Sequence, residues 1–234
     1  IDELPPGRTP VDTFAVGESY RPRINAFIRK QVAEGHQVFI VCPLVGDGDA
    51  PPDERKAVTA YAEKLQKEVF PDLRVALLHG KMKPREKDAV MADFAARRSD
   101  ILVSTTVVEV GVDIPNATLM VVENAELFGL SQLHQLRGRV GRGGARSYCV
   151  LLNQDPSPEG KERLRALTRT NDGFRISEED LRLRGPGDFF GRRQHGLPTL
   201  KVADLSCDMR LLDEAQRAAR ELLEKDPDLS APEN

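Results

Sequence analysis

The chain has no tryptophan, and aromatic residues make up 5% of its 234 residues, so its core must be built from aliphatic side chains. Its three cysteines, Cys42, Cys149 and Cys207, are odd in number, far apart and without metal-ligand spacing. That argues against a zinc cluster and a disulfide framework; the expected setting is a reducing cytoplasm, with each thiol acting as a small buried apolar group. No apolar run approaches the ~18–20 residues of a membrane span. Residues 38–45 form one of the longest, and Pro43 breaks it. No secretory signal is read either.

A phosphate-binding loop of the form Gly-x-x-x-x-Gly-Lys-Ser/Thr is also missing. Gly80-Lys81 is followed by Met82 and Gly160-Lys161 by Glu162, and neither pair has the earlier glycine. Gly46-x-Gly48 lacks the third glycine of a dinucleotide fingerprint. Asp53-Glu54-Arg55-Lys56 resembles an acidic magnesium motif by letters only, because it opens a helix instead of ending a strand. No Ser/His/Asp set, paired carboxylates or metal ligands are read, which weighs against a small-molecule α/β enzyme.

The net charge of -3 conceals an asymmetry. Residues 1–136 carry 16 Lys+Arg against 20 Asp+Glu, residues 137–201 carry 14 against 8, and residues 202–234 carry 4 against 9. Basic excess is therefore local, at +6 in the middle segment, and suggests one phosphate-facing surface.

That segment begins in the most informative stretch, residues 131–144, where Arg137, Arg139 and Arg142 alternate with Gly138, Gly141, Gly143 and Gly144. A guanidinium fork matches phosphate oxygens in a bidentate way, and glycine lets backbone approach a ligand closely. Residues 135–142 read as the end of a helix and a following loop that present arginines to a polyphosphate. Leu133 and Leu136 bury the other side. A solvated basic face is the competing reading.

The remaining chain reads as strands alternating with helices. Residues 1–12 hold Pro5, Pro6, Gly7 and Pro10 and are expected to be an extended lead-in from something earlier; the opening Ile without Met suggests a fragment. Strands are expected at 13–16, 38–42, 74–78, 101–106, 118–123 and 147–152. Helices are expected at 22–34, 53–69 and 84–98, the last with Pro84 in its first turn. Continuous apolar strands between helices predict an α/β fold, a parallel sheet covered by helices on both faces. Ligands of such sheets bind at strand carboxyl ends, where His79-Gly80, Thr105-Thr106 and the loop around Gly111 and Asp113 are expected. Beyond a linker at Pro156 and Pro158, a helical hairpin is expected. Its first helix runs over 158–170, and its second opens at the capping-box spacing of Ser177 to Asp180 and stops at Gly185-Pro186-Gly187. The loop 191–196 follows. A last helix at 204–225 offers Leu205, Met209, Leu212, Ala219 and Leu222 as a packing face, before an acidic tail.

Strand-end hydroxyls at Thr105 and Thr106 suit a sugar-phosphate backbone, although plain β-propensity also explains them. Two ordered motifs now resemble a known family. Gln135-x-x-Gly138-Arg139-x-Gly141-Arg142 is similar to the sixth motif of superfamily 2 helicases, and Thr105-Thr106 through Gly111-x-Asp113 to their fifth. The likeness spans residues 13–153 and implies the second of two RecA-like motor domains. Asn171-Asp172-Gly173-Phe174, the run from Asp180 to Gly187 and Gly191-Arg192-Arg193-Gln194-His195-Gly196 resemble the C-terminal end of the RecG family of bacterial DNA helicases; the transcription-repair coupling factor shares a related segment.

The resemblance implies a division into 1–12, a motor domain at 13–153, a hairpin and translocation loop at 154–200, and a helix and tail at 201–234. Arg139 and Arg142 would reach the phosphates of ATP held, with Mg2+, by the first motor domain, Arg142 as the arginine finger. Gln135, Gly111 and Asp113 would set geometry at the nucleotide. His79, Gly80, Thr105 and Thr106 would touch DNA. Arg184, Arg192, Arg193 and Gln194 would couple motor closure to translocation, although the family loop often has Thr at the place of Arg192. The expected partners are branched double-stranded DNA, the first motor domain and a DNA-binding wedge domain, in a cytoplasmic monomer. A non-catalytic interaction module with a motor-like fold is the alternative.

Overall fold

Six apolar runs become six parallel strands. In the computed structural model the described residues are 9–43, 54–105, 114–154 and 157–184, with 214, 217–220, 222 and 223 from the C-terminal region. The chain forms two compact units, Ile1–Ser177 and Glu178–Asn234. The strands are β1 (Val11–Gly17), β2 (Gln37–Val41), β3 (Val75–Leu78), β4 (Ile101–Ser104), β5 (Ala117–Val122) and β6 (Ser147–Asn153), in the order β1-β6-β5-β2-β4-β3. Among them run α1 (Arg21–Ala33), α2 (Glu54–Lys64), α3 (Pro84–Ala95) and α4 (Leu130–Arg137), with α5 (Pro158–Arg169) and α6 (Gly173–Arg184) after the sheet.

Strand alternation assigns the two faces. Val38 and Ile40 of β2 share a cluster with Ile101, Val103, Leu119 and Val121, and Ile24, Ile28, Val58 and Ala62 of α1 and α2 complete it. The intervening Phe39 points the other way, where its ring lies 5.1 Å from that of Phe94 in α3. Helices therefore cover both faces, as two-sided apolar strands require. Fully burying one such side chain stabilises by about 1.5–3 kcal/mol, so this two-layer core dominates the fold.

Local chemistry sets the helix ends. Gly35 takes φ +85 just after α1, the left-handed stop that glycine adopts without steric cost. The Glu86 carboxylate accepts the Lys83 N–H at 3.0 Å ahead of α3. The Ser157 hydroxyl accepts the Gly160 N–H at 3.1 Å and starts α5.

Several boundaries differ from expectation. β1 begins at Val11, within the expected lead-in, because it pairs with β6 along its whole length and Asp12 bridges to Arg146 at 2.7 Å. α3 stops at Ala95 instead of 98, and Arg97 turns out at φ 56. α6 opens at Gly173, not Ser177: Asp172 accepts the Phe174 N–H at 2.9 Å, whereas the Ser177 hydroxyl donates back to the Gly173 carbonyl. In the C-terminal helix, Ala219 and Leu222 are exposed, so neither buries the expected packing face; Leu205, Met209 and Leu212 lie outside the described residues.

Candidate functional site

Helix α4 carries the arginine stretch. Gln132 accepts the Gly129 N–H at 3.0 Å to open it, and Leu130, Leu133 and Leu136 bury its inner face while Gln135 stands exposed. The helix ends at Arg137, and the loop expected to follow it begins at Gly138. The Gly138 N–H still reaches the His134 carbonyl at 3.0 Å, and the next two N–H groups close tighter turns onto Leu136 and Arg137. Arg139 and Arg142 therefore sit on a loop, both half-buried. The Arg142 Nε donates to the Gly138 carbonyl at 3.1 Å, which orients the guanidinium.

Arg137 does not share their role. It is 3% exposed, and one terminal nitrogen donates to the carbonyls of Leu167 and Thr170, each at 2.8 Å. These oxygens belong to the last turn of α5, the negative end of its dipole, so the cation caps that helix. Burial lowers the pKa of Arg137 from the usual arginine value. The expectation that the stretch presents its arginines to a polyphosphate therefore fails for Arg137, which is buried.

The loop is wedged between two backbone segments. Gly141 has φ +78, and a Cβ there would stand 2.9 Å from the Thr9 carbonyl oxygen and 2.9 Å from Val11 Cγ2. A Cβ at Gly143 would come within 2.5 Å of the Pro115 carbonyl oxygen. The Thr9 N–H donates to the Gly141 carbonyl at 3.2 Å and its hydroxyl to the Ala145 carbonyl at 3.4 Å. Thr9 precedes β1 and Pro115 precedes β5, so the arginine loop lies at the amino end of the sheet.

His79, Gly80 and Thr105 lie at the carboxyl ends of β3 and β4, as expected. Gly80 is exposed; Thr105 is 2% exposed, and its hydroxyl has no hydrogen-bond partner among the described residues. It opens on a cleft of about 300 Å³ shared with Arg21, Cys42, Tyr61, Glu123 and Asn124. The walls are held internally. Arg21 donates to both oxygens of Glu123 at 2.6 and 2.7 Å and to Glu18 at 2.9 Å, and the Tyr61 hydroxyl donates to Glu123 at 2.6 Å. Burial opposes the charge on Arg21, yet its bonds to Glu123 and Glu18 outweigh that and raise its pKa. Burial, reinforced by the Glu123 charge, also pushes the Tyr61 phenol up and the Cys42 thiol up to about 12. A thiol so shifted is inert at neutral pH.

Sequence reasoning missed this cluster, because Arg21 and Glu123 are 102 residues apart and no spacing joins them. Only the placement of Glu123 just past an apolar run could have nominated it. The described candidates thus fall at two opposite ends of the strands. β5 alone, at six residues, separates those ends by about 20 Å. Thr106, Gly111, Asp113, Arg192, Arg193 and Gln194 lie outside the described residues, and Arg184 closes α6 with its side chain likewise outside them. Thr105 follows the carboxyl end of β4, and Ile114 leads into the amino end of β5.

A six-stranded parallel RecA-like sheet, with glycine-held arginines between its fifth and sixth strands, defines a helicase motor domain. Residues 22–144 match the helicase conserved C-terminal domain, and residues 170–234 match the C-terminal part of domain 3 of the ATP-dependent DNA helicase RecG. The chain belongs to the helicase conserved C-terminal domain family and, within it, to the RecG type. It is 49% identical over 234 residues to the ATP-dependent DNA helicase RecG of Bacillus subtilis (strain 168), covering 100% of this chain and 34% of that protein. The structure of RecG bound to a three-way DNA junction matches with a TM-score of 0.69 and 50% identity, over 91% of this chain and 27% of that one. Mss116p DEAD-box helicase domain 2, bound to an RNA duplex, matches with a TM-score of 0.50 and 22% identity, over 74% of this chain and 69% of that one. That last likeness concerns the fold alone. The chain spans 34% of the length of its Bacillus subtilis relative.

Arg139 and Arg142 suit the phosphate end of a nucleotide by charge and by their placement on a held loop. Among the described residues no group of three His, Cys, Asp or Glu could hold a metal ion.

Proposed function

We propose that this chain is the second motor domain of an ATP-dependent translocase acting on double-stranded DNA, which remodels branched DNA such as stalled forks and Holliday junctions. The supporting observation is the loop at the amino end of the sheet, where glycines wedged against Thr9 and Pro115 present Arg139 and Arg142. Such a loop suits a ligand held by a neighbouring domain. ATP and Mg2+ would sit mainly on the first motor domain, and the metal ion would supply charge neutralisation at the phosphates.

In this reading Arg142 reaches the phosphate oxygens on which negative charge grows, and Arg139 supports it. Exposed Gln135, with Gly111 and Asp113, sets the geometry of that contact. The carboxyl end of the sheet meets the DNA backbone through His79, Gly80, Thr105 and Thr106. The hairpin and loop, through Arg184, Arg192, Arg193 and Gln194, carry motor closure to the DNA, and a wedge domain elsewhere in the protein splits the branch. The functional division is 1–12, 13–153, 154–200 and 201–234, in a cytoplasmic monomer.

The test is DNA-stimulated ATP turnover by the complete two-motor protein carrying Arg142→Ala. An arginine finger contributes ~10³–10⁵ in rate in other nucleotide hydrolases, so turnover falls by about 10³-fold with binding to forked DNA kept. Unchanged turnover would move the loop from catalysis to binding and favour a non-catalytic interaction module.

A further inference from the structure

The segment that enters the sheet touches the loop that bears the arginines, and neither its sequence nor its distance along the chain suggests this. Thr9 stands 132 residues before Gly141, yet its N–H donates to the Gly141 carbonyl at 3.2 Å, and its hydroxyl reaches the Ala145 carbonyl at 3.4 Å. These two acceptors bracket Arg142. At Gly141 the contact is close enough to exclude any side chain, since a Cβ would meet the Thr9 carbonyl and Val11 Cγ2 at 2.9 Å each. The backbone there is also left-handed, at φ +78. On the other side of Arg142, Gly143 lies against the Pro115 carbonyl at a separation no Cβ could share.

We propose that Thr9, acting with Gly141, is a positioning residue for the arginine finger: the lead-in to β1 clamps the loop and sets where the Arg142 guanidinium stands. This deepens the proposed function and rests on it. A finger must meet charge that develops in the transition state, and a misplacement near 1 Å can cost about 10²-fold. A flexible glycine-rich loop would not hold that tolerance unaided, because each glycine adds backbone freedom. The clamp removes it with backbone contacts at the glycines on either side of Arg142. Among the described strands β1 is an edge strand paired with β6, so the clamp also ties the loop to the residues that lead into β1.

The experiment uses the complete two-motor protein, with Gly141→Ala, Thr9→Val and Thr9→Ser beside Arg142→Ala. The readouts are kcat and KM for DNA-stimulated ATP turnover, and the affinities for ADP alone and for ADP with aluminium fluoride, a mimic of the transferring phosphoryl group. The clamp predicts that Gly141→Ala lowers kcat by at least tenfold and Thr9→Val by about threefold. KM for ATP and ADP affinity stay within twofold, affinity for the fluoride complex falls in step with kcat, and Thr9→Ser restores it. A merely structural contact would shift thermal stability without this split. Normal kcat in Thr9→Val and in a folded Gly141→Ala, with Arg142→Ala impaired, overturns the clamp alone. If Gly141→Ala does not fold, Thr9→Val decides by itself, and a normal kcat there overturns the clamp. A normal kcat in Arg142→Ala overturns the proposed function and the clamp with it.

Discussion

The two ends of the sheet treat charge in opposite ways. At the carboxyl end, Arg21 is consumed by Glu123 and Glu18, and Tyr61 completes the set, so the polar side chains around the cleft mostly hold its own walls. At the amino end, backbone holds the loop: Thr9 and Pro115 lie against Gly141 and Gly143, and Arg139 and Arg142 stand half-buried on it. The same residue type therefore does different work by position. Arg137 shows it again, since it stands two residues from Arg139 yet is buried as the cap of α5. Counting arginines near glycines finds the region, but only the partner of each side chain assigns its task.

The sharpest way to break this comparison is the Arg142→Ala experiment, where the amino end should lose about 10³-fold in turnover while its fold stays intact. The neighbouring Arg137→Met should give the opposite pattern. It leaves the Leu167 and Thr170 carbonyls without their donor, and each hydrogen bond from a charged group contributes ~1.5–3 kcal/mol. Chemical denaturation should therefore show a loss of about 3 kcal/mol, with kcat per folded molecule near wild type well below the melting temperature. A drop in kcat comparable with that of Arg142→Ala would erase the distinction.

At the carboxyl end, Glu123→Gln keeps the shape but removes the charge that Arg21 and Tyr61 face. Glu123 is 9% exposed at its side chain, so a destabilisation of about 2 kcal/mol is expected in the same unfolding assay. A change no larger than that of a surface pair would show that the cleft does not depend on its internal ion pair.

The smallest effect belongs to the surface. Its bond from Arg74 holds the Asp100 carboxyl below the usual carboxylate range. A lowered folded pKa means the pair stabilises fully above the unfolded Asp value near pH ~4, and the contribution disappears as pH falls through the folded value. Arg74 is largely exposed, so Asp100→Asn should cost under about 1 kcal/mol at pH 7 and flatten the acid limb of a stability–pH curve. An unchanged acid limb would assign the pair no energetic role.

Much of the fold was legible because it is written in short range. Apolar runs of strand length and Pro84 at a helix start each act on residues within a turn of themselves. The misread boundaries were those set from afar. Val11 and Asp12 looked like lead-in because their strand partners are in β6. Ser177 is a local exception, a capping-box spacing overridden by Asp172, which accepts the Phe174 N–H. The candidate site divides in the same manner. Arg139 and Arg142 were nominated by residue type and spacing and Gln135 by the resemblance of its motif, whereas Thr9 and the Arg21–Glu123 pair carried no local signal.

By itself, then, the amino-acid order determined an α/β domain with parallel strands, an arginine loop behind a short helix, and the family those motifs resemble, since periodicity and motif spacing are properties of neighbours along the chain. Only the tertiary structure decided that Arg137 serves α5, that a charge cluster lines the carboxyl cleft, and that Thr9 reaches Gly141. Each depends on groups brought together across 30 or more residues by burial of the sheet, and such distances leave no periodic trace in sequence.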